Sequence, residues 1–155
     1  MAFKIGIISD THGLLRPEAL LRLSDVDHII HGGDIGGPDI VSALRDLAPV
    51  TAIRGNVDTG DWARKFPETA CVRLAERSIF VLHNRKALRF DPVAAGIDLV
   101  VSGHSHVPKI DEVDGVHYLN PGSAGRRRFM LPITLATVEI TPHALRPIIH
   151  VLVDR

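Results

Sequence analysis

Near-continuous apolar runs alternate with short helical patterns along the first half of the chain. Such runs are typical of strands covered on both faces, because a strand with one exposed face alternates apolar with polar residues. They predict strands over residues 3–8, 27–30, 50–53, 79–82 and 99–101. Two segments that begin with proline and carry apolar residues at helical spacing, residues 17–24 and 38–47, predict helices between the first three strands. This order predicts parallel strands whose carboxyl ends share one side of a sheet.

The second half of the chain has a different pattern, in which apolar segments follow one another across tight turns. Antiparallel pairs are predicted for residues 70–75 with 78–82 around Glu76-Arg77, 108–113 with 116–120 around Asp114-Gly115, and 133–140 with 145–153 around Thr141-Pro142-His143. These pairs imply a second, mixed sheet. The predicted fold class is therefore α/β, with two mixed β-sheets forming a sandwich flanked by helices.

Composition narrows the class of protein. The 155 residues are 45% hydrophobic and contain no linker-like stretch, which predicts one domain over residues 1–155. The 18 basic and 18 acidic residues balance, so net charge does not indicate nucleic acid as a partner. No run approaches the length of a membrane span, and the first residues lack a signal-peptide pattern, so we expect a cytoplasmic protein without a membrane partner. The single cysteine, Cys71, fits a reducing compartment and is predicted to be a small core residue. Assembly into a homo-oligomer is left open.

Metal-binding residue types follow the ends of the five predicted strands. They are Asp10, His12, Asp34, Asn56, His83, His104 and His106. Two of these polar segments hold a pair of ligands two residues apart, a spacing at which both side chains point the same way if the chain stays extended. The set has no thiolate, which favours Mn, Fe, Co, Ni or Zn over a structural cysteine-type zinc site. Because the ligands exceed what one ion needs, we predict two divalent ions that share Asp34.

Glycines support this interpretation. Gly33, Gly55 and Gly103 directly precede three of the ligands, where a residue without Cβ permits a sharp departure from the strand and a close approach to an ion or phosphate. Each motif alone is more often an ordinary turn than a site. Their recurrence after successive strands is what favours a metal centre.

At this point the chain resembles the calcineurin-like metallophosphoesterases, and among them the small single-domain phosphodiesterases of bacteria and archaea, a branch that also contains the retromer subunit Vps29. The resemblance is carried by Asp10-Thr11-His12-Gly13, Gly33-Asp34, Gly55-Asn56-Val57-Asp58, Leu82-His83, Gly103-His104-Ser105-His106 and Asn120-Pro121-Gly122-Ser123. It implies that one metal is bound by Asp10, His12, Asp34 and His106, and the other by Asp34, Asn56, His83 and His104.

The resemblance implies a metal-dependent phosphoesterase, foremost a phosphodiesterase, acting on a small phosphoester. Two ions of this kind can activate a bound hydroxide to attack phosphorus, so no protein nucleophile is needed. Manganese is the leading expectation for the ions, with Ni, Co, Fe or Zn as alternatives. The competing hypothesis is a catalytically weak, Vps29-like scaffold for protein binding. Retention of all seven ligands favours the enzyme.

Two departures from the family pattern affect the chemistry. The histidine that often follows Gly-Asn in the wider superfamily is replaced by Val57, which cannot transfer a proton, so Asp58 is a candidate substitute. Together with the proposed metal ligands Asp34 and Asn56, Asp58 completes the set of predicted catalytic residues. The second departure is His83-Asn84-Arg85, where the small branch commonly has His-Gly-His.

Other polar residues have two open interpretations. Arg85 is either a bidentate phosphate contact or a solvated surface arginine. Arg128, within Arg126-Arg127-Arg128, is either an anion clamp or part of a solvated loop. Together with Asn56, these two arginines form the predicted substrate contacts. His31 is a candidate hydrogen-bond donor to orient the Asp34 loop, and Trp62 either lines the substrate pocket or covers an interface.

Overall fold

The computed structural model describes residues 2–153, which form two five-stranded sheets and two short helices. The strands are β1 (Phe3–Ile8), β2 (His28–His31), β3 (Val50–Ala52), β4 (Thr69–Leu74), β5 (Arg77–Leu82), β6 (Leu99–Val101), β7 (Lys109–Val113), β8 (Val116–Asn120), β9 (Ile133–Thr141) and β10 (Ala144–Val153). The helices are α1 (Pro17–Arg22) and α2 (Pro38–Arg45), and single 3₁₀ turns span Asp61–Lys65 and Arg85–Ala87. Within residues 2–153, no helix has the length and apolar character needed to cross a membrane.

Both sheets are mixed, as the sequence predicts. The first has the order β10-β9-β1-β2-β3, with β1, β2 and β3 parallel and β9 antiparallel to β1. The second has the order β4-β5-β6-β8-β7, with β5, β6 and β8 parallel. The carboxyl ends of β1, β2 and β3 therefore share one edge of the first sheet, and those of β5 and β6 share one edge of the second. The α/β sandwich is confirmed.

Alternation along β1 and β2 divides the core into two layers. Ile7 and Ile30 pack between the sheets against residues such as Val81 and Leu99. Their neighbours Ile8 and Ile29 face the other way and pack against α1 and α2 through Leu23 and Leu44, among others. The strands are thus buried on both faces, which explains their continuous apolar runs.

The structure corrects two local predictions. The β4–β5 turn is centred on Ala75 and Glu76, both with positive φ, rather than on Glu76-Arg77. The paired positive φ values resemble the type I′ hairpin turns that usually carry Asn-Gly, so this turn lacks its usual sequence signal.

Cys71 is exposed and is not the core residue that the sequence predicts. It lies on β4, an edge strand whose residues alternate between exposed and partly buried. The apolar neighbours Ala70 and Val72 pack against the core, and Cys71 therefore faces outward. The run Ala70-Cys71-Val72 contains no polar residue, so the sequence does not reveal that alternate side chains face outward.

Candidate metal centre

The predicted ligands lie on loops that follow β1, β2, β3, β5 and β6, and backbone hydrogen bonds join these loops in pairs. The amide of His12 donates to Asp34 O at 2.9 Å, which ties the loop after β1 to the loop after β2. The amide of Gly103 donates to His83 O at 2.9 Å, which does the same for the loops after β5 and β6. The site therefore spans one edge of both sheets.

Left-handed backbone is concentrated at the ligands. Five predicted ligands have positive φ, with values from 48° to 72°: Asp10, His12, Asp34, His104 and His106. The sequence predicts that the two ligands of each pair point the same way along an extended chain. The positive φ values show that the chain is not extended there. Instead, tight left-handed turns direct them inward. Non-glycine residues rarely adopt this conformation, and such residues cluster at functional sites.

One group of ligand atoms consists of Asp10, His12 and His106. Asp10 Oδ1 lies 3.4 Å from His106 Nε2 and 3.7 Å from His12 Nε2. The two imidazole Nε2 atoms are 3.4 Å apart. A carboxylate oxygen and two ring nitrogens are therefore close enough to bind one ion.

A second group consists of Asp10, Asp34 and His83, all of them buried. His83 Nε2 lies 3.1 Å from Asp34 Oδ2 and 3.9 Å from Asp10 Oδ1. Asp34 Oδ2 is also 3.7 Å from His12 Nε2, a member of the first group. Asp10 belongs to both groups, and Asp34 Oδ2 lies between a histidine of each.

The other two predicted ligands lie at the margin of this cluster. His104 is outside both groups, with its ring edge-on to that of His83 and 5.2 Å between the ring centroids. Asn56 is exposed and lines a cavity together with His83. The structure therefore gathers five of the seven predicted ligands tightly and places the remaining two beside them.

Three buried polar atoms of the cluster have no hydrogen-bond partner: Asp10 Oδ1, His83 Nε2 and His106 Nδ1. His83 Nε2 and Asp34 Oδ2 are near each other but do not have the geometry of a hydrogen bond. Buried polar groups are almost always hydrogen-bonded, and an unpaired one is costly. His106 faces the cluster through Nε2 and not through its unpaired Nδ1. Asp10 Oδ1 and His83 Nε2 do face the other ligands and are acceptors that a divalent cation would satisfy, so these residues fit a metal centre.

Three of the ligands, Asp10, Asp34 and His83, use their second polar atom to hold their position. Asp10 Oδ2 accepts from the Ser9 hydroxyl at 2.7 Å and from the His104 amide at 3.2 Å. Asp34 Oδ1 accepts from the Val57 amide at 3.0 Å. His83 Nδ1 donates to Gly32 O at 2.8 Å, which leaves the lone pair of Nε2 facing the cluster.

Two glycines are required by the closeness of this packing. A Cβ at Gly103 would overlap Ser9 Oγ and Asp10 Oδ2, and a Cβ at Gly55 would overlap the Asp34 carboxylate. These glycines therefore let the backbone pass close to the ligand side chains, while their predicted approach to an ion or phosphate stays a prediction.

His31 holds the loop of Asp34, but as a hydrogen-bond acceptor and not as the donor that the sequence predicts. It is fully buried, and its Nδ1 accepts from the Gly33 amide at 3.0 Å. Because Nδ1 is an acceptor, Nε2 carries the proton and donates to Thr11 Oγ1 at 3.0 Å, and Thr11 donates in turn to Ile35 O at 2.7 Å. Burial lowers the pKa of His31 to about 4, so the ring is neutral.

The electrostatics of the cluster favour a cation. Burial works to raise the pKa of Asp10, but the imidazoles of His106 and His12 and the Ser9 hydroxyl hold it well below its usual value. Burial also opposes ionisation of Asp34, yet its pKa is lowered by His83 and the Val57 amide. Two ionised carboxylates therefore share a buried site.

The same carboxylates act on the histidines. Asp10 raises the pKa of His12 above its usual value. For His83, burial acts in the lowering direction, but Asp34 and the Gly32 carbonyl outweigh it and the pKa is raised. The cluster thus attracts positive charge, and protons compete with metal for these nitrogens.

The carboxylate of Asp58 is fully engaged in hydrogen bonds to the backbone. Its side chain is buried, and its two oxygens accept from the amides of Ile35, Gly36 and Gly55, each at 2.9 Å. These bonds join the loop after β2 to the loop after β3. The geometry favours a positioning role for Asp58 over the catalytic role that the sequence predicts.

The arginines predicted to contact substrate occupy different surroundings. Arg85 pairs with Asp111 at 2.8 Å, stacks over the ring of Tyr118 and lines a cavity that His104 also lines. Arg128 is exposed and lies over the ring of Phe129. Trp62 is partly buried, packs edge-on against Phe66 beside the helix-side core and lines neither cavity next to the ligands. Its second predicted role, covering an interface, stays a prediction.

Sequence reasoning missed two residues that hold the ligands. Ser9 bonds to Asp10, as described above, and Asn120 donates from Nδ2 to Gly103 O at 2.8 Å, which holds the loop of His104. Asn120 was part of a family motif without an assigned role. For Ser9, the available signal was a short polar residue at the end of an apolar strand, directly before a ligand.

Comparison with known proteins identifies the class to which this fold and site belong. The family model of the calcineurin-like phosphoesterase superfamily domain matches residues 3–143. The chain therefore belongs to the calcineurin-like metallophosphoesterases, a family of metal-binding hydrolases, as its motifs predict.

Individual relatives agree with this assignment. The chain is 38% identical over 132 residues to a probable metallophosphoesterase of Methanocaldococcus jannaschii, a match covering 77% of this chain and 67% of the relative. A single mutant of Vps29 from Entamoeba histolytica has a TM-score of 0.81 at 26% identity, covering 97% of this chain and 93% of that one. A structure described as a novel archaeal phosphodiesterase has a TM-score of 0.78 at 26% identity, covering 95% and 99%.

Proposed function

We propose that this protein is a phosphodiesterase that depends on two divalent metal ions. The observation that carries the proposal is a buried group of ligand atoms from Asp10, Asp34 and His83. Both carboxylates of this group are ionised, and Asp10 Oδ1 and His83 Nε2 have no hydrogen-bond partner. Acceptors that are costly to bury unpaired are satisfied when a divalent cation binds between them.

The proposed ligand assignment keeps that implied by the family motifs. One ion would be held by Asp10, His12, Asp34 and His106, and the other by Asp34, Asn56, His83 and His104. The position of Asp34 Oδ2 between His12 and His83 supports Asp34 as the shared ligand. Divalent ions held there would polarise the phosphoryl oxygens and lower the pKa of a bound water.

The chain's own residues would orient the ester and the water. Asn56 is exposed beside His83, where its amide can reach both an ion and a phosphoryl oxygen. Arg85 lines the cavity on the His104 side, but its guanidinium must leave Asp111 before it can bind a phosphate. Cys71 lies on an edge strand and is not needed as a nucleophile. Arg128 remains a proposed contact for an anionic substrate.

The second candidate function is a Vps29-like scaffold, and the observation that favours it is the similarity in structure to Vps29 over nearly the whole chain. The two candidates differ in what the ligands do. In a scaffold, loss of the metal ligands leaves the biological function intact, whereas in the enzyme it abolishes turnover.

The deciding experiment combines metal analysis with hydrolysis of an aryl phosphodiester. We expect the protein treated with a chelator to be inactive, and Mn, Ni or Co to restore turnover with up to two ions bound per chain. An Asp25→Asn variant is a matched control, because Asp25 is an exposed carboxylate paired with Lys4 far from the cluster. Full activity after verified removal of metal contradicts the proposal, and so does the lack of turnover with every metal tested.

Several finer points belong to the same proposal. Manganese is the proposed physiological metal, the cytoplasm the proposed location and a small phosphoester the proposed substrate. A single domain over residues 1–155 and assembly of several copies likewise remain predictions.

A further inference from the structure

A cavity of about 480 Å³ opens directly beside the metal centre. Gly55, Asn56 and His83 are among its lining residues, so the cavity reaches two of the proposed metal ligands. This size is within the range of about 300–1,000 Å³ that is typical of ligand pockets. Whatever is attached to the phosphate on this side must enter the cavity.

The outer part of the cavity is apolar and aromatic. Phe80 and Phe90 line it in an edge-to-face arrangement, with 4.8 Å between ring centroids and an interplanar angle of 89°. Leu82 and Leu88 complete this surface. Phe90 is 40% exposed although its ring is large and apolar, so an aromatic edge is left open to a ligand.

Charge at the rim is small on balance. Arg54 pairs with Glu68 at 3.2 Å, which neutralises both residues. Arg89 donates to the carbonyls of Lys86 and Leu88 and forms no ion pair within residues 2–153. Its planar guanidinium is placed to stack on a flat ring or to contact an oxygen near the phosphate.

The cavity on the other side of the centre has a different character. Besides His104, it is lined by Arg85, Lys86 and Lys109, of which Arg85 and Lys109 share the single carboxylate of Asp111. Its one aromatic ring, that of Tyr118, is covered by the Arg85 guanidinium. The two sides of the centre therefore differ in that open aromatic rings line the first and an excess of cationic side chains lines the second. A phosphodiester carries two ester groups on its phosphorus, here called its arms, and the two cavities would accept different groups.

We propose that the substrate is a phosphodiester with an aromatic ring on one arm, of the size of an aryl group or nucleobase, which binds against Phe80, Leu88 and Phe90. This inference rests on the proposed function, since it takes the phosphate to lie at the metal centre. Because Asn56 and His83 also line the cavity, we infer that it holds part of the substrate itself and not a second, separate ligand.

The test measures calorimetric affinity of the Mn-loaded protein for product-like probes, namely methyl phosphate, phenyl phosphate and adenosine 5′-monophosphate. We expect the aromatic probes to bind at least about tenfold more tightly than methyl phosphate, because the ring buries apolar surface. In Phe90→Ser and Leu88→Ala that preference should largely disappear, while affinity for methyl phosphate stays the same. Leu21→Ser is the control, since Leu21 is 77% exposed and lines neither cavity.

Equal affinity for methyl and aromatic probes overturns the inference, as does a preference that survives in both cavity variants or no measurable binding of any aromatic probe. Turnover of an aryl diester, measured on the same preparation, separates the two claims. Turnover without an aromatic preference overturns only the cavity assignment. An aromatic preference without turnover supports the cavity assignment and contradicts the proposed activity.

Discussion

The hydroxyl of Ser9 donates to Asp10 Oδ2 at 2.7 Å and turns the other oxygen of that carboxylate, Oδ1, toward the histidines of the cluster. Both residues are fully buried. Oδ1 has no hydrogen-bond partner, so the bond from Ser9, together with the longer bond from the His104 amide to Oδ2, leaves this oxygen for a metal. Ser9 is therefore a positioning residue for the centre, although no ligand motif includes it.

We expect Ser9→Ala to lower metal affinity by about 10- to 100-fold, the usual cost of removing a residue that orients a ligand. Titration of the metal-free protein with Mn, followed by calorimetry, measures the change. Excess metal should restore most of the turnover, because the ligands themselves remain.

Ser105→Ala is the control for that variant. Ser105 lies between His104 and His106, but its hydroxyl accepts from Asn120 and from the Val107 amide and not from a ligand side chain. Equal metal affinity in Ser9→Ala and the wild type would show that Ser9 does not hold Asp10 in place.

Asp34→Asn should cost more activity than Asn56→Ala, by at least about tenfold, because it removes an anion placed between two histidines rather than a neutral ligand at the margin. Elemental analysis should show fewer than one ion per chain. Asp10 belongs to both groups of ligand atoms, so Asp10→Asn measured in parallel tests which carboxylate is shared. Two bound ions and near-normal turnover in Asp34→Asn would refute a bridging role for Asp34.

The buried neutral ring of His31 predicts a loss of stability in acid. Its pKa is about 4 in the folded protein and about 6.5 when unfolded, so the unfolded state takes up the proton first as the pH falls. The free energy of unfolding should therefore decrease between about pH 6.5 and pH 4, by on the order of 3 kcal/mol from this group. Above pH 7 the contribution is fully present.

Denaturant unfolding of metal-free protein across this range checks the prediction. His31→Gln should have a flatter pH dependence than the wild type, whereas His143→Gln should not, because His143 is exposed. Equal slopes for His31→Gln and the wild type would mean that His31 is protonated in the folded state or does not titrate differently on unfolding.

Val57 stands where many relatives in the wider superfamily have a histidine, and its side chain is 53% exposed, so the loop has room for a larger residue. Without a proton donor, rates should depend steeply on the pKa of the leaving group. Val57→His should then improve esters with poor leaving groups more than aryl esters. The hydrogen bond from the backbone N–H of residue 57 to Asp34 Oδ1 does not depend on the side chain at position 57 and should persist.

A Brønsted series over aryl and alkyl esters measures this dependence in both proteins. Val151→His is the matched control, because Val151 is 53% exposed and lies on β10, away from the loops that carry the ligands. A flat dependence in the wild type would show that the charge on the leaving oxygen is already relieved, and Arg85, whose guanidinium acts through its charge, would be the next residue to test.

The sequence by itself determined the strands that precede the site and the residue types that follow them. Each strand is encoded by its own apolar run, as in Phe3–Ile8, and each ligand is a local choice of side chain at a strand end. The order of these motifs is also local information. For this reason the fold class, the family and the set of candidate ligands were all predictable.

Contacts between distant segments were decided only by the tertiary structure. The pairing of β1 with β9, more than a hundred residues later, and the salt bridge of Arg85 with Asp111 join parts of the chain whose periodicities are independent. The left-handed turns at His12 and Asp34 are likewise maintained by bonds between loops, because neither residue type favours them strongly alone. The same holds for Asp58, whose carboxylate has a structural role only because two loops supply three amides to it.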